Sequence, residues 1–186
     1  MKLNQSAYAI LGILTFHPRQ NGYHIRKTVE STVRYFWSEG YGQIYPTLKL
    51  LAAENLIKPC GPAGKKKAQE YSITKAGRAA LAAWLALPYR DDPQRNEFLL
   101  KLFFGVQAAP EVTVNHLKNF QQDTRRLLAT LTEIERLAKE RNGTEPGFPY
   151  WYLTLEFGLS QSRAALEWSQ QALKRLKQLQ SKSASK

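Results

Sequence analysis

Residues 36–57, FWSEGYGQIYPTLKLLAAENLI, constrain the fold more than any other stretch of this 186-residue chain. Successive residues of an α-helix lie about 100° apart around its axis, so this stretch acquires two chemically different sides. The apolar side carries Ile44, Leu48 and Leu51. The other side is small, polar and cationic, with Tyr45 at its edge, and it carries Gly42, Gln43, Pro46 and Lys49. One side can pack against a core, and the other is left for a polar partner.

Pro46 indicates where this helix begins. Proline breaks a helix interior but is tolerated in the first turn, where its missing N–H has no helical partner. We therefore expect the helix to begin near Gly42 or Gln43, with Gln43 and Tyr45 at its tip. A tip with hydrogen-bonding side chains and a lysine one turn on can enter the major groove of DNA.

Two short helices are expected before this one. Residues 4–16 have apolar side chains at helical spacing, and Pro18 with Asn21-Gly22 supplies a stop and a turn. Residues 23–31 form the second helix, with Ile25 and Val29 inward. Its outward face offers further cations and hydrogen-bonding groups to DNA.

After the two-sided helix the sequence predicts a hairpin. The segments IKPC and QEYSI read as short strands, and GPAGKKKA between them has the composition of an exposed tip, or wing. Lys65, Lys66 and Lys67 at this tip can lie beside backbone phosphates, and three such contacts give a log K against log salt slope of about −3. The alternative is a charged loop that only keeps the protein soluble.

A helix capped by Thr74 should follow the hairpin and end before Pro88. Residues 1–88 then form the first domain and the polar residues 89–94 form a linker. Residues 95–180 form a second domain, and residues 181–186, SKSASK, form a frayed tail.

The second domain is expected to be helical and to pair with another copy. Residues 97–105 are apolar on nearly every side, and residues 117–138 and 150–179 read as two long amphipathic helices. One copy cannot easily cover this much apolar surface, which favours a homodimer. The candidate dimer-interface residues are Phe103, Phe104, Leu155, Leu159, Leu166 and Leu173.

The net charge of +12 is concentrated in the first domain. Twelve basic and four acidic residues precede Pro88, whereas fifteen basic and eleven acidic residues follow it. Such an excess favours a polyanionic partner through counterion release, although a solvated basic surface without a partner remains the alternative.

The sequence lacks the signatures of several other classes of protein. The single Cys60 excludes an internal disulfide and suits a reducing compartment, and no stretch approaches the 18 to 20 apolar residues of a membrane span. The sequence has no nucleophile elbow, phosphate-binding glycine loop or zinc-ligand spacing. We therefore expect a cytoplasmic protein that is not an enzyme and has no cofactor or metal.

The aromatic segment FPYWYLTLEF, residues 148–157, is the best candidate for a ligand pocket. Tyr150, Trp151 and Tyr152 point in different directions on a helix, so at least one of them can line a pocket that takes an aromatic ligand. Trp84 could join a pocket between the two domains. Packing at a dimer interface, or in the core for Trp84, is the competing interpretation.

The pattern W-S-x-x-Y-G-x-I-Y-P-x-L-K-x-L in residues 37–51 resembles the recognition helix of PadR-type bacterial transcriptional regulators. The upstream segment LGILTFHPRQNGYHIRK and the downstream segment YSITKAGRAALAAWL resemble the same family. The resemblance implies a dimer whose C-terminal helices reach the partner subunit, and an effector that is a small aromatic or amphipathic compound.

The sequence therefore predicts a mainly α protein with an N-terminal winged helix-turn-helix domain, three helices plus a two-stranded wing, and a C-terminal helical dimerisation domain. Its function is that of a homodimeric repressor on a palindromic operator in double-stranded DNA, associated with the nucleoid when bound. The candidate DNA-binding residues are Tyr23, His24, Lys27, Gly42, Gln43, Tyr45, Pro46, Thr47, Lys49, Lys65, Lys66 and Lys67. The alternatives are an activator of the same fold, a non-specific basic DNA- or RNA-binding protein, and a protein-interaction module.

Overall fold

Seven α-helices and three short strands are formed by the residues that the computed structural model describes, which are 3–33, 36–37, 41–61, 68–89, 95–140 and 147–183. They fall into two units, Met1–Asp91 and Asp92–Lys186. Within the described ranges, no helix combines the length and apolar character needed to cross a membrane.

The first unit alternates helices with the strands of a small sheet. Its elements in chain order are α1 (Gln5–Phe16), β1 (Gln20–Asn21), α2 (Gly22–Thr32), a 3-10 turn (Tyr41–Gln43), α3 (Ile44–Ala53), β2 (Ile57–Cys60), β3 (Glu70–Ile73) and α4 (Lys75–Leu85). Polar side chains cap three of the helices, since Asn4, Asn21 and Thr74 each accept a hydrogen bond from the backbone N–H three residues ahead.

The sheet has three antiparallel strands in the order β1-β3-β2. The expected hairpin is present, with Cys60 opposite Glu70 and Ile57 opposite Ile73. The expected two-stranded wing is thus confirmed, and the sheet gains a third strand that the sequence did not predict, because Gln20 and Asn21 pair with the other edge of β3. Asn21 therefore forms a strand pair and also caps α2, where the sequence had suggested only a turn.

One hydrophobic core holds the helices of the first unit on the sheet. Its buried residues come from α1, α2, α3, β2 and β3 and are Ala7, Ile10, Leu11, Ile13, Leu14, Ile25, Ile44, Leu48, Leu51, Ile57 and Ile73. At Gly77 of α4 the backbone approaches this core so closely that a Cβ would lie 2.1 Å from the carbonyl oxygen of Leu56. The side chain of Trp84 stacks on Tyr8, which joins α4 to α1.

The second unit is built around two long helices. Its elements are α5 (Glu97–Phe103), a 3-10 turn (Gly105–Gln107), α6 (Pro110–Glu140) and α7 (Phe148–Ser183). Helix α7 continues through Ser183, although a tail had been predicted from residue 181, and residues 184–186 lie outside the described residues. The residues buried between α6 and α7 include Leu117, Leu131, Ala138, Leu155 and Leu159.

Leu155 and Leu159 had been expected at a dimer interface. Each is 2% exposed within the single chain, because α7 turns these side chains toward α6 of its own unit. They are therefore intramolecular core, and the expectation for these two residues was wrong.

Candidate nucleic-acid interface

Helix α3 has the two sides that its sequence predicts. Ile44, Leu48 and Leu51 are at most 4% exposed and belong to the core. The exposed residues along the other side are Gly42, Gln43, Tyr45, Pro46 and Lys49. The helix begins at Ile44 after a 3-10 turn, so Pro46 lies in the first helical turn. The N-terminal end of α3 therefore carries the polar side chains into solvent.

Thr47 does not share this surface. It is 4% exposed and lies one helical turn before Leu51, on the side of α3 that packs into the core. Its sequence neighbours Pro46 and Lys49 are exposed, and a polar residue between them looked available for DNA. Because its side chain is buried, the Thr47 hydroxyl cannot contact a DNA groove, and we exclude this residue from the candidate interface.

Gln43 occupies the N-cap position of α3 but makes no capping hydrogen bond with its side chain. Its exposed amide can therefore donate to and accept from a base edge. Lys49 is exposed on the same side of the helix and can meet a phosphate. The exposed side of α3 thus combines Gln43, which can recognise a base, with Lys49, which can contact the sugar-phosphate backbone of DNA.

The start of α2 is the second exposed segment of the candidate interface. Tyr23 is 59% exposed and its ring meets that of His24 edge to face, with centroids 5.6 Å apart. The Asn21 side chain accepts a hydrogen bond of 2.9 Å from the His24 backbone N–H and so fixes the first turn of α2. Lys27 is exposed one turn further on.

Helices α2 and α3 meet where Tyr45 crosses Gly22. A Cβ on Gly22 would lie 2.6 Å from Cε1 of the Tyr45 ring. This contact brings the exposed start of α2 next to the exposed start of α3. Tyr45 was predicted from the sequence to be part of the interface, whereas Gly22 was predicted only to be part of a turn.

The wing lysines Lys65, Lys66 and Lys67 lie outside the described residues. The arms of the wing are described, and Gln69 ties them together, since its Nε2 donates to the carbonyl oxygen of Cys60 at 3.2 Å. Arg19 lies 3.9 Å from the Glu70 carboxylate, which links the turn before β1 to the end of β3 that is nearest the wing tip. No pattern in the sequence indicates this ion pair, because its two residues lie far apart in the chain.

The candidate effector residues fall into both units. Trp84 lies in the first unit, and its ring is stacked on Tyr8. In the second unit, Trp151 and Tyr152 form an aromatic cluster with Phe148, and the Tyr152 hydroxyl donates to Glu135 on α6 at 3.1 Å. Tyr150 is 75% exposed.

The Glu135 carboxylate beside this cluster is held in its charged form. Hydrogen bonds from Lys139 and then from the Tyr152 hydroxyl keep the pKa of Glu135 below its ordinary value of 4.5. Glu135 and Tyr152 therefore act as a polar tie between α6 and α7.

A separate cavity of about 320 Å³ lies in the second unit between the ends of α5, α6 and α7. Leu102, Leu117 and Leu176 give it an apolar wall, and Trp168 adds an indole face. Arg175 also lines the cavity and forms no ion pair with a carboxylate in the described part of the chain. No pattern in the sequence indicates this cavity, because its lining residues come from three separate helices.

The remaining candidate dimer residues differ in exposure. Phe103 is 81% exposed and Phe104 is 56% exposed, and their rings meet edge to face. Leu166 and Leu173 on α7 are half-buried. The apolar face of α5 thus remains open to solvent in the single chain.

Two family patterns match successive parts of the chain. Residues 10–83 match the Transcriptional regulator PadR-like family, and residues 94–177 match the family described as Virulence activator alpha C-term. The negative transcriptional regulator PadR of Bacillus subtilis is 28% identical over 174 residues, which are 89% of this chain and 94% of that protein.

Solved structures share the architecture over nearly the full length. Bacillus subtilis PadR in complex with operator DNA has a TM-score of 0.77 at 26% identity, over 91% of this chain and 98% of that one. The same protein in complex with p-coumaric acid has a TM-score of 0.73 at 26% identity, over 92% and 98%. The Vibrio cholerae virulence activator AphA has a TM-score of 0.75 at 27% identity, over 94% and 99%. These likenesses confirm the expected winged helix-turn-helix fold with a helical C-terminal region.

Proposed function

Because the chain belongs to the PadR-like family of transcriptional regulators, we propose that it is a homodimeric repressor that reads a palindromic operator with α3. A twofold dimer would present two α3 ends to half-sites about one helical turn of DNA apart. The proposal is supported above all by the exposed side of α3, where Gln43, Tyr45 and Lys49 stand opposite a side that is fixed in the core.

The proposed contacts divide into two kinds. Gln43 and Tyr45 at the end of α3 read the major groove, with Gly42 and Pro46 small enough to let the backbone approach. Tyr23, His24, Lys27 and Lys49 contact the sugar-phosphate backbone, as do the three wing lysines outside the described residues. Base contacts set the sequence preference, whereas phosphate contacts set the register and the salt dependence.

The homodimer in this proposal is formed through the second unit. Phe103 and Val106 are 81% and 88% exposed on and just beyond α5, and Leu99 and Leu100 add to the same apolar surface. Contiguous apolar surface of this kind is typical of a protein interface. Leu166 and Leu173 of α7 extend the proposed contact.

The proposed effector is a small aromatic compound, as in the Bacillus subtilis relative solved with p-coumaric acid. Two places in the described second unit suit such a ligand. One is the cavity where Trp168 offers an aromatic wall and Arg175 a free cation for a carboxylate. The other is the cluster of Tyr150, Trp151 and Tyr152. A 100-fold preference of the effector for DNA-free protein would weaken operator binding by about 2.7 kcal/mol.

Activation of transcription is the second candidate function, because AphA, named a virulence activator, has the same fold. Non-specific binding by a basic architectural protein is a third. The proposed regulator catalyses no reaction and binds DNA in a bacterial cytoplasm.

Fluorescence anisotropy with the DNA upstream of the protein's own reading frame tests the proposal. The wild type should bind this duplex with higher affinity than it binds unrelated DNA. Gln43→Ala should weaken specific binding by about 1–3 kcal/mol for each subunit. Lys49→Ala removes one phosphate contact from each of the two subunits and should reduce the salt slope by about 2. Lys118→Ala, which removes an exposed lysine of the second unit, is the matched control and should bind like the wild type.

Equal affinity for all duplexes would contradict the proposed regulator and indicate a non-specific DNA-binding protein.

The proposed effector is tested with p-coumaric acid, which should quench the tryptophan fluorescence of the protein saturably and lower the anisotropy of the operator DNA. Loss of quenching in Arg175→Ala alone identifies the cavity, and loss in Tyr150→Ala alone identifies the aromatic cluster.

A further inference from the structure

Gly22 lies against the side of the Tyr45 ring that carries Cε1. An added Cβ at this position would be 2.6, 3.0 and 3.2 Å from Cε1, Cζ and Cδ1 of the ring. Real Cβ atoms are not found as close as the shortest of these distances, so any larger residue would displace the ring. The space left by the missing side chain is therefore filled by Tyr45.

This contact differs from the other close approach of a glycine in the first unit. At Gly77 the conflicting atom is a backbone carbonyl oxygen, which cannot move without disturbing the core. At Gly22 the conflicting atoms belong to an exposed side chain that can rotate away. A methyl group at residue 22 should thus leave the fold intact and change only where the Tyr45 ring points.

The backbone at Gly22 does not itself require glycine. Gly22 is the first residue of α2, it is not among the residues with positive φ, and Asn21 caps the helix before it. Alanine has the higher helix propensity, so at a compatible position it stabilises rather than strains the chain. The feature that disfavours a side chain at residue 22 is therefore the nearby ring of Tyr45, which leaves no space for a Cβ.

We propose that Gly22 is a positioning residue for DNA recognition, because it lets the Tyr45 ring lie against the start of α2 and so fixes the phenol at the exposed end of α3. Tyr45 remains 60% exposed in this arrangement, with its ring supported on one side. A side chain that is held in its bound orientation loses less rotamer freedom when it meets a partner. Gly22 therefore affects DNA binding through its contact with Tyr45 and does not itself contact the DNA.

The inference rests on the proposed DNA-binding function and is tested by a double-mutant cycle at residues 22 and 45. Operator affinity is measured by anisotropy for the wild type, Gly22→Ala, Tyr45→Ala and the double variant. Gly22→Ala is expected to weaken operator binding at least tenfold in the presence of Tyr45. In the Tyr45→Ala background the same substitution should change the affinity less than twofold.

Gly12→Ala is the matched control, because no atom lies within 4 Å of a Cβ built on that glycine of α1. It should bind the operator like the wild type. The thermal midpoint of Gly22→Ala should equal or exceed that of the wild type, which separates a moved ring from a damaged fold.

Operator binding by Gly22→Ala at wild-type affinity overturns the inference and leaves the proposed function standing. Equal weakening by Gly22→Ala with and without Tyr45 also overturns it, because Gly22 then acts through another group. If the wild type itself does not prefer the operator, the proposed function fails and the inference fails with it.

Discussion

The indole ring of Trp84 stacks on the phenol ring of Tyr8, with ring centroids 4.6 Å apart and planes inclined by 8°. The pair connects the last turns of α4 to the first turns of α1, at the edge of the core of the first unit. Both residues also line a shallow groove with Leu3 and Leu87. The stack gives Trp84 a structural partner within its own unit.

We expect Trp84→Ala to lower the free energy of unfolding by about 2–4 kcal/mol, because it removes a half-buried indole and its stacking contact. Urea unfolding followed by circular dichroism measures the loss. Leu87→Ala is the control, since Leu87 lines the same groove but is 63% exposed. Equal destabilisation by both substitutions would contradict a specific role for the stack.

The hydrogen bond from Gln121 Nε2 to Ser169 Oγ joins α6 to α7 inside their apolar contact, at 3.2 Å. Ser169→Ala leaves the buried amide without its acceptor and should cost about 1–3 kcal/mol. Gln121→Leu combined with Ser169→Ala removes both polar groups and should recover much of that loss. Denaturant titrations of the single and double variants measure this coupling, and strict additivity would show that the hydrogen bond does not link the helices.

The apolar face of α5 is expected to pair two copies of the chain. Phe103→Glu should convert a dimer into a monomer at micromolar concentration, because it introduces a charge into the contact. Sedimentation velocity gives the mass in solution. Phe16→Glu, at a residue 71% exposed in the first unit, is the matched control and should remain dimeric. A dimer of Phe103→Glu as stable as that of the wild type would exclude α5 from the interface.

Tyr152→Phe should raise the pKa of Glu135 toward its ordinary value of 4.5, because it removes one of the two hydrogen bonds that favour the carboxylate. The folded-state pKa is depressed, so this carboxylate stabilises the fold above pH about 4.5 and the contribution is lost as the pH falls through the lowered pKa. Carboxyl NMR titration of both proteins measures the change. An unchanged Glu135 pKa in the variant would show that the hydroxyl does not hold the carboxylate.

Much of the first unit follows from its sequence because local rules act there. The apolar spacing in α3, the tolerance of Pro46 in a first turn and the capping side chain of Thr74 each depend on a few neighbouring residues. Thr47 was mispredicted because its polarity was given more weight than its spacing. Its position three residues from Ile44 and four from Leu51 already places it on the buried side of α3.

The sequence alone determined the winged helix-turn-helix arrangement, the polar end of α3 and the long helices of the second unit, because helical periodicity and capping are written in adjacent residues. Only the tertiary structure decided that β1 joins the sheet, that Leu155 and Leu159 pack within their own chain, and that Gly22 lies against the Tyr45 ring. These relationships join residues far apart in the chain, and their physical cause is the fit of surfaces that meet only after folding.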